Sequence, residues 1–274
     1  MLVSTPIGNL GDISARALSA LRAADLILCE DTRVTAHLLR HFDVRGRTSS
    51  LHDHNENARI PDILARIGAG AIVALVSDAG TPLVSDPGFR LVRTALDAGV
   101  PVTAVPGANA AVMALTLSGL PPHPNYFHGF LPPRQAARRA VLARLRYAEQ
   151  AGLSATLVFY ESPHRTGETL ADMASVFGDR PAAVARELTK KFEELRRGLL
   201  AELAAHYAAE APRGEVTLVV GPAPEPETGT GELDDLLRAA LRTQSVREAA
   251  AGVAEATGLP RKQVYARALE MAGK

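Results

Sequence analysis

Four short segments combine glycine, proline and polar residues in the way a ligand-holding loop requires. They are Ser4-Thr5-Pro6-Ile7-Gly8-Asn9-Leu10-Gly11, Ser77-Asp78-Ala79-Gly80-Thr81-Pro82 with its continuation Ser85-Asp86-Pro87-Gly88, Val105-Pro106-Gly107-Ala108-Asn109-Ala110, and Phe159-Tyr160-Glu161-Ser162-Pro163-His164-Arg165. Glycine lets backbone approach a bound molecule closely, and proline limits the freedom lost when the loop is held. Each segment follows a short apolar run, and ligands of parallel α/β sheets bind beyond the carboxyl ends of strands. One such loop is ordinarily a plain turn, and Asp78 has the alternative role of a turn residue bonded to its own backbone. Four of them at strand ends point to a site. None matches G-x-G-x-x-G or G-x-x-x-x-G-K-[ST], so neither a dinucleotide nor a nucleoside triphosphate is signalled.

The titratable candidates lie in similar places. Glu30, Asp31 and Arg33 follow the apolar run Leu26-Ile27-Leu28-Cys29, and Glu161 and Glu187 stand at strand ends further along. Glu30, Arg33 and Glu161 are the candidates for acid–base or electrostatic work, with structural Glu–Arg bridges as the alternative. His52-Asp53-His54 would place both imidazoles on one face of an extended segment, but zinc needs more protein ligands than these two supply. No metal is expected; contact with nucleic acid through His52 and His54 is the preferred reading, a solvated loop the other.

Net charge is zero, from 30 basic and 30 acidic residues, which argues against indiscriminate coating of nucleic acid. Local patches still count. Arg134, Arg138, Arg139, Arg144 and Arg146 fall in a stretch without an acid, and Arg242, Arg247, Arg261, Lys262 and Arg267 crowd the C-terminal region. Either is also compatible with a solvated helix face.

The elements that must position these residues read as βα units around a mostly parallel sheet. Strands are expected at 72–77, 100–105, 155–160, 183–187 and 216–220, each a short run rich in Val, Ile, Leu or Ala. Asp12 is placed to cap a helix through Ala24, with Ile13, Ala17, Leu18 and Leu21 on one face. Pro87 suits the first turn of a helix to about Ala98, stopped by Gly99. Gly119-Leu120-Pro121-Pro122-His123-Pro124 is a dense breaker cluster. The expected division is a first lobe at 1–120 carrying cofactor loops, a second α/β lobe at 121–222, a Pro/Gly linker at 223–231, and a helical tail at 232–274. In that tail, Ser245 and Glu248 form a capping box. Ala254, Gly258, Leu259 and Val264 have helix-turn-helix spacing, with Arg261 and Lys262 opening the second helix; a purely structural helical hairpin fits the same pattern.

Composition sets the outer limits. Apolar residues make up 47% and charged residues 22% of 274, with no Trp, so aliphatic packing builds the core. No run approaches the roughly 18 apolar residues needed to span a bilayer, and Met1-Leu2-Val3-Ser4-Thr5-Pro6 lacks the marks of a secretory signal. The lone Cys29 reads as buried, and the expected compartment is the cytoplasm.

Seven blocks together carry a resemblance: residues 77–82 through Asp86-Pro87-Gly88, Thr5-Pro6-Ile7-Gly8-Asn9-Leu10-Gly11, Glu30-Asp31-Thr32-Arg33, Leu51-His52-Asp53-His54-Asn55-Glu56, Gly129-Phe130-Leu131-Pro132, Phe159-Tyr160-Glu161-Ser162, and Ala185-Arg186-Glu187-Leu188-Thr189-Lys190. Over essentially the whole chain, they resemble the 16S ribosomal RNA (cytidine-2′-O)-methyltransferase family of the tetrapyrrole-methylase superfamily. The resemblance implies a two-lobed α/β fold with a small helical C-terminal extension and S-adenosylmethionine in the cleft. It implies a homodimer acting on the small ribosomal subunit, with a 2′-O-methylated cytidine in the decoding region as product. It assigns the cofactor to Pro6, Gly8, Asp78, Ala79, Gly80, Thr81, Pro82, Pro106 and Ala110, with Tyr160, Glu161, Leu188 and Thr189 closing over it. Arg134, Arg138, Arg139, Arg261 and Lys262, with His52 and His54, are left for RNA. Where the family usually carries lysine-rich sequence this chain has Pro133-Arg134-Gln135, and arginine keeps the charge while offering two-pronged phosphate contact. Two other readings compete: a small-molecule, tetrapyrrole-type methyltransferase, and a ribosome assembly factor with a vestigial cleft. Cofactor binding separates the last from the others, and acceptor choice separates the first two.

Overall fold

The computed structural model of the chain describes residues 1–224 and 230–272, and the linker expected at 223–231 lies mostly outside them. Two compact units, Met1–Ala223 and Pro224–Lys274, make up the chain.

Within the first unit, the N-terminal half builds a five-stranded sheet from β1 (Leu2–Val3), β2 (Leu26–Cys29), β3 (Thr48–Ser50), β4 (Val73–Val76) and β5 (Ala104–Val105), in the order β3-β2-β4-β1-β5. Every pairing in it is parallel. Helices α1 (Ala15–Ala23), α2 (Thr32–His41), α3 (Glu56–Gly68) and α4 (Phe89–Asp97) fill the crossovers, and α5 (Ala110–Ser118) follows β5. Side chains alternate along β2: Ile27 and Cys29 enter one apolar cluster with Leu21 and Val76, while Leu26 and Leu28 enter another with Leu51, Ile63 and Leu75. Both faces are therefore covered, which is why these strands read as unbroken apolar runs.

The second half forms a sheet of β6 (Asn125–Phe130), β7 (Thr156–Glu161), β8 (Pro181–Arg186), β9 (Glu194–Leu199) and β10 (Val216–Val220), in the order β6-β7-β10-β8-β9. Only β6 and β7 are parallel; the other pairings are antiparallel. This corrects the expectation of mostly parallel pairing throughout: the short β8–β9 connection leaves no room for a crossover helix, so the chain turns straight back. Helices α6 (Gln135–Gln150), α7 (Thr166–Phe177) and α8 (Leu200–Ala209) cover one face around Leu142, Phe159, Leu170 and Leu218. The other face receives α5, whose Ala111, Ala114 and Leu115 pack with Val158, Ala183, Ala185 and Val219.

Three local signals fall in different places from those expected. The α1 cap is Ser14, which accepts from the Ala17 amide, because Asp12 is taken up in a 3-10 turn capped by Asn9. The α4 helix starts at Phe89, after Gly88 at φ 116°, so Pro87 lies outside its first turn. The strand expected at 100–105 shortens to its last two residues, since Pro101 cannot donate to a ladder.

The second unit is helical: α9 (Thr230–Ala240), α10 (Val246–Thr257) and α11 (Arg261–Met271). The Ser245–Glu248 capping box is formed, and Gly258 ends α10 at φ 71°. Leu237, Val253, Val264 and Ala268 form its own small core. Among the described residues no helix is long and apolar enough to cross a membrane.

Candidate active site

The loops after β1, β4 and β7 meet around a cavity of about 390 Å³. Asp78, Ala79, Gly80, Thr81 and Ala110 come from the first sheet's side, and Tyr160, Glu161 and Leu188 from the second's. Eight residues assigned to the cofactor by resemblance thus share one lining. Ile7, Val84, Asp86, Phe130, Ala185 and residues 214–217 are among the others. Sequence reasoning misses these: Asp86 and Phe130 sit in motif blocks but carry no separate signal, and residues 214–217 arrive only because β10 is central in its sheet.

The Asp78 loop is pinned by its neighbours. Asp78 Oδ1 accepts from the Asp31 amide at 3.0 Å, and Thr5 Oγ1 donates to the Ser77 carbonyl at 3.0 Å. Thr81 Oγ1 donates to the Ala108 carbonyl at 3.1 Å, so the 106–110 turn buttresses the loop. Pro106 and Pro82 do not line the cavity; their part is to stiffen that support. Strain gathers here too. Leu83 at φ 70°, Ser85 at φ 66°, Glu187 at φ 50° and Thr189 at φ 66° are all left-handed without being glycine, a state that persists only where surroundings over-determine it. Gly129 lies opposite Ser85, at φ 80° in a bulge of β6; a Cβ there would come within 2.9 Å of Ser85 Oγ.

Two carboxylates in the lining have no cation among the described residues. Asp78 accepts from a backbone amide, and Asp86 accepts from Ser77 Oγ. Burial pushes the Asp86 carboxyl up, Ser77 opposes this, and the charge of Asp78 adds to it. Apolar walls with uncompensated carboxylates suit a ligand that is part apolar and part cationic.

The catalytic candidates separate. Glu161 is 2% exposed and lines the cavity, yet its carboxylate is committed to its neighbours: it accepts from the Ser162 amide and from Thr169 Oγ1, both at 2.7 Å, and pairs with Arg165. It organises the 162–165 turn, with three of its four acceptor sites occupied and an arginine holding its charge. Arg33 points into solvent, its side chain 89% exposed, and is paired with Asp31 at 2.6 Å; Arg33 hydrogen bonds take Asp31 down to about 2. Arg33 lines neither this cavity nor its smaller neighbour. Glu30 is exposed at the end of β2. Burial raises its carboxyl, and Asp78, Asp86 and Asp53 add to the rise while His52 opposes it. Of the three, only Glu30 is uncommitted and has a raised carboxyl, and like Arg33 it lines neither cavity.

Pro6 and Gly8 line a second cavity of about 230 Å³, which shares Ile7, Asp78, Ala79 and Glu215 with the first. Thr189 lies against Gly8: its Oγ1, buried and without a hydrogen-bond partner, is 3.0 Å from where a Gly8 Cβ would be.

The basic candidates need one correction. Arg138 is 1% exposed and pairs with Asp172 at 2.7 Å, so it is a structural residue unavailable to any polyanion. Arg139 is half exposed, with Asp172 also its partner, and Arg134 is exposed. Arg261 and Lys262 are exposed at the start of α11, whose first turn has no side-chain cap. His52 Nδ1 is buried and unpartnered, 6.0 Å separates the rings of His52 and His54, and no metal-binding cluster occurs among the described residues.

Comparison with known proteins gives this arrangement its place. Residues 1–204 match the family described as Tetrapyrrole (Corrin/Porphyrin) Methylases, and residues 227–272 match a family described as RsmI C-terminal HTH domain. "Ribosomal RNA small subunit methyltransferase I" of Mesorhizobium japonicum is 46% identical across 98% of this chain and 91% of its own length. The chain belongs to the ribosomal RNA small subunit methyltransferase I family. The Erythrobacter litoralis member is 50% identical, over 98% of this chain and 94% of its own. Membership makes the chain a methyltransferase and accounts for its two sheets. A uroporphyrin-III C-methyltransferase from Thermus thermophilus, complexed with S-adenyl homocysteine, has the same fold at a TM-score of 0.53 and 21% identity, covering 80% of this chain and 95% of that one.

Proposed function

We propose that the chain transfers a methyl group from S-adenosylmethionine to the 2′-hydroxyl of a cytidine ribose in the decoding region of 16S ribosomal RNA. The observation that carries the transfer chemistry is the large cavity, where loops of two sheets converge on an apolar lining with two uncompensated carboxylates. The lining fits the cofactor: Asp78 and Asp86 complement its positive charges, and Ile7, Val84, Ala110 and Leu188 take its apolar parts. When bound, it supplies the electrophilic methyl group.

The protein's contribution is placement. Donor and acceptor must be held about 3 Å apart and in line, and fixing that geometry accounts for much of the acceleration. Residues 78–81 are held rigidly by Asp31, Thr5 and Ala108, and Glu161 fixes the opposite turn. Glu30, the one uncommitted carboxylate among the candidates, takes the hydroxyl proton as the new bond forms. The ribosomal acceptor is favoured by the names of the relatives and by the helical second unit, with Arg261 and Lys262 exposed at a helix start where phosphate is readily bound. Arg134, Arg139, His52 and His54 are further RNA contacts in this reading, and the protein acts as a homodimer in the cytoplasm.

The test is transfer of tritiated methyl groups to small subunits purified from cells lacking the enzyme, with nucleoside mass mapping of the product. Label on a cytidine 2′-oxygen supports the proposal. Label on a base, or none, defeats it.

A further inference from the structure

The smaller cavity adjoins the one read above as the cofactor's, and Pro6 and Gly8, which the resemblance assigns to the cofactor, stand on its wall. Pro6, Leu10, Val34 and Leu38 form apolar walls, and His37 and Lys190 stand at its edges. It adjoins the large cavity, since Ile7, Asp78, Ala79 and Glu215 line both. An acceptor oxygen must come to about 3 Å from the transferred carbon, so the acceptor's seat has to adjoin the cofactor's in this way.

We propose that the smaller cavity receives the acceptor as a single nucleoside turned out of its strand, base against Pro6, Leu10 and Leu38, ribose toward the Asp78–Ala79 wall. This rests on the RNA methyl-transfer reading above. Size is compatible with one nucleoside: about 230 Å³ can take a base with its sugar. Charge agrees. Lys190 is tied to Glu187 at 2.8 Å and to Glu215 at 2.7 Å, so with Asp78 alongside the lining has no spare cation for a polycarboxylate. Burial disfavours the Lys190 ammonium, but the two glutamates outweigh it and hold the proton on. Aliphatic walls suit the faces of a base. Turning a base outward costs least where it is already unpaired, which selects single-stranded positions.

Two plugs on the surface of α2 test this. Val34 is 45% exposed and His37, one turn on, is also exposed, so Val34→Trp and His37→Trp should each fold while narrowing the cavity. Steady-state transfer to small subunits is measured beside calorimetric affinity for S-adenosylmethionine and the melting temperature. The expected result is unchanged melting and cofactor affinity with kcat/KM down about a hundredfold, the scale on which a misplaced reactant slows a bound reaction. Parallel loss of cofactor affinity would assign the cavity to the cofactor and overturn the inference. Unchanged kcat/KM in both variants would overturn it as well. A wild-type enzyme that labels no small subunit would instead defeat the RNA reading, a result seen before either variant is made.

Discussion

Thr5 and Gly80 face each other as an isolated antiparallel bridge: the Thr5 amide donates to the Gly80 carbonyl at 2.9 Å, and the Gly80 amide donates back to the Thr5 carbonyl at 3.2 Å. The bridge welds the loop after β1 to the loop after β4, and Gly80 sits in it at φ 86°. A Cβ there would lie 3.2 Å from Ile7 Cγ2 and 3.5 Å from the Ala108 carbonyl. Gly80→Val should therefore lose cofactor binding and about 1–2 kcal/mol of stability, the cost of a left-handed non-glycine residue. Calorimetry and a denaturant melt measure the two separately. Wild-type affinity would remove the bridge from the site.

Arg138 and its neighbours give a second expectation. Burial raises the Asp172 carboxyl, but hydrogen bonds from Arg139, Arg138 and Gln135 outweigh it and hold the carboxyl below its usual range. Arg138→Ala takes the buried cation from a buried carboxylate that keeps only Arg139 and Gln135, and is expected to cost up to about 3–5 kcal/mol. Arg134→Ala, at an exposed position, should leave the melting temperature where it was. Urea melts of both variants decide whether Arg138 is structural.

The pH dependence follows from Glu30. A base acts deprotonated, so kcat/KM should rise as pH climbs through a value above the ordinary carboxylate range of about 4.3. Glu30→Gln should erase that limb and slow transfer by about 10²–10⁴. Stability has its own sign. A carboxyl with a raised folded-state pKa binds its proton more tightly in the folded chain. Glu30 and Asp86 therefore favour folding below their unfolded pKa values and lose that contribution as pH rises through the raised ones. An intact acid limb in the Glu30→Gln rate profile would exclude Glu30 as the base.

Arg261 and Lys262 are expected to act through phosphate. Replacing both with alanine should lower kcat/KM for small subunits and leave cofactor affinity unchanged. It should also reduce the salt slope by about 0.7–0.9 for each phosphate left unneutralised. Rates measured across a salt series supply the answer, and an unchanged slope would mean that the α11 start meets no RNA.

Much of this architecture was legible in the residues. Val216 to Val220 is unbroken apolar sequence because β10 is buried on both faces, and Ser245 with Glu248 announces α10 through side chains that cap it directly. Local chemistry wrote those signals. The Asp78 loop was legible as a loop at a strand end, and what set it apart from a plain turn was its recurrence with three others. What stayed hidden depended on distant partners. Arg138 reads as part of a basic patch because its acid, Asp172, is on another helix, and Glu161 reads as a free base because Arg165 and Thr169 claim it only once α7 has formed. β3, β6 and β9 were missed for a related reason: Thr48–Ser50 is polar, and β6 and β9 are edge strands whose mixed sequences lack the apolar run. Division of the lining into two cavities follows from three-dimensional packing alone.

The central place of β10 sets an order on synthesis. Its residues are the last of the ten strands to leave the ribosome, yet β7 and β8 have no direct pairing and both bond to it. Until residues 216–220 emerge, the second sheet is two separate ribbons, β6–β7 and β8–β9, and the large cavity lacks the wall made by Val216 and Thr217. The N-terminal sheet has all five of its strands about a hundred residues earlier and can assemble first, as is usual when chains fold while being made. A nascent or prematurely ended chain thus holds Asp78 and Gly80 in place before Val216 and Thr217 join the lining opposite them, and the large cavity is complete only near the end of the first unit.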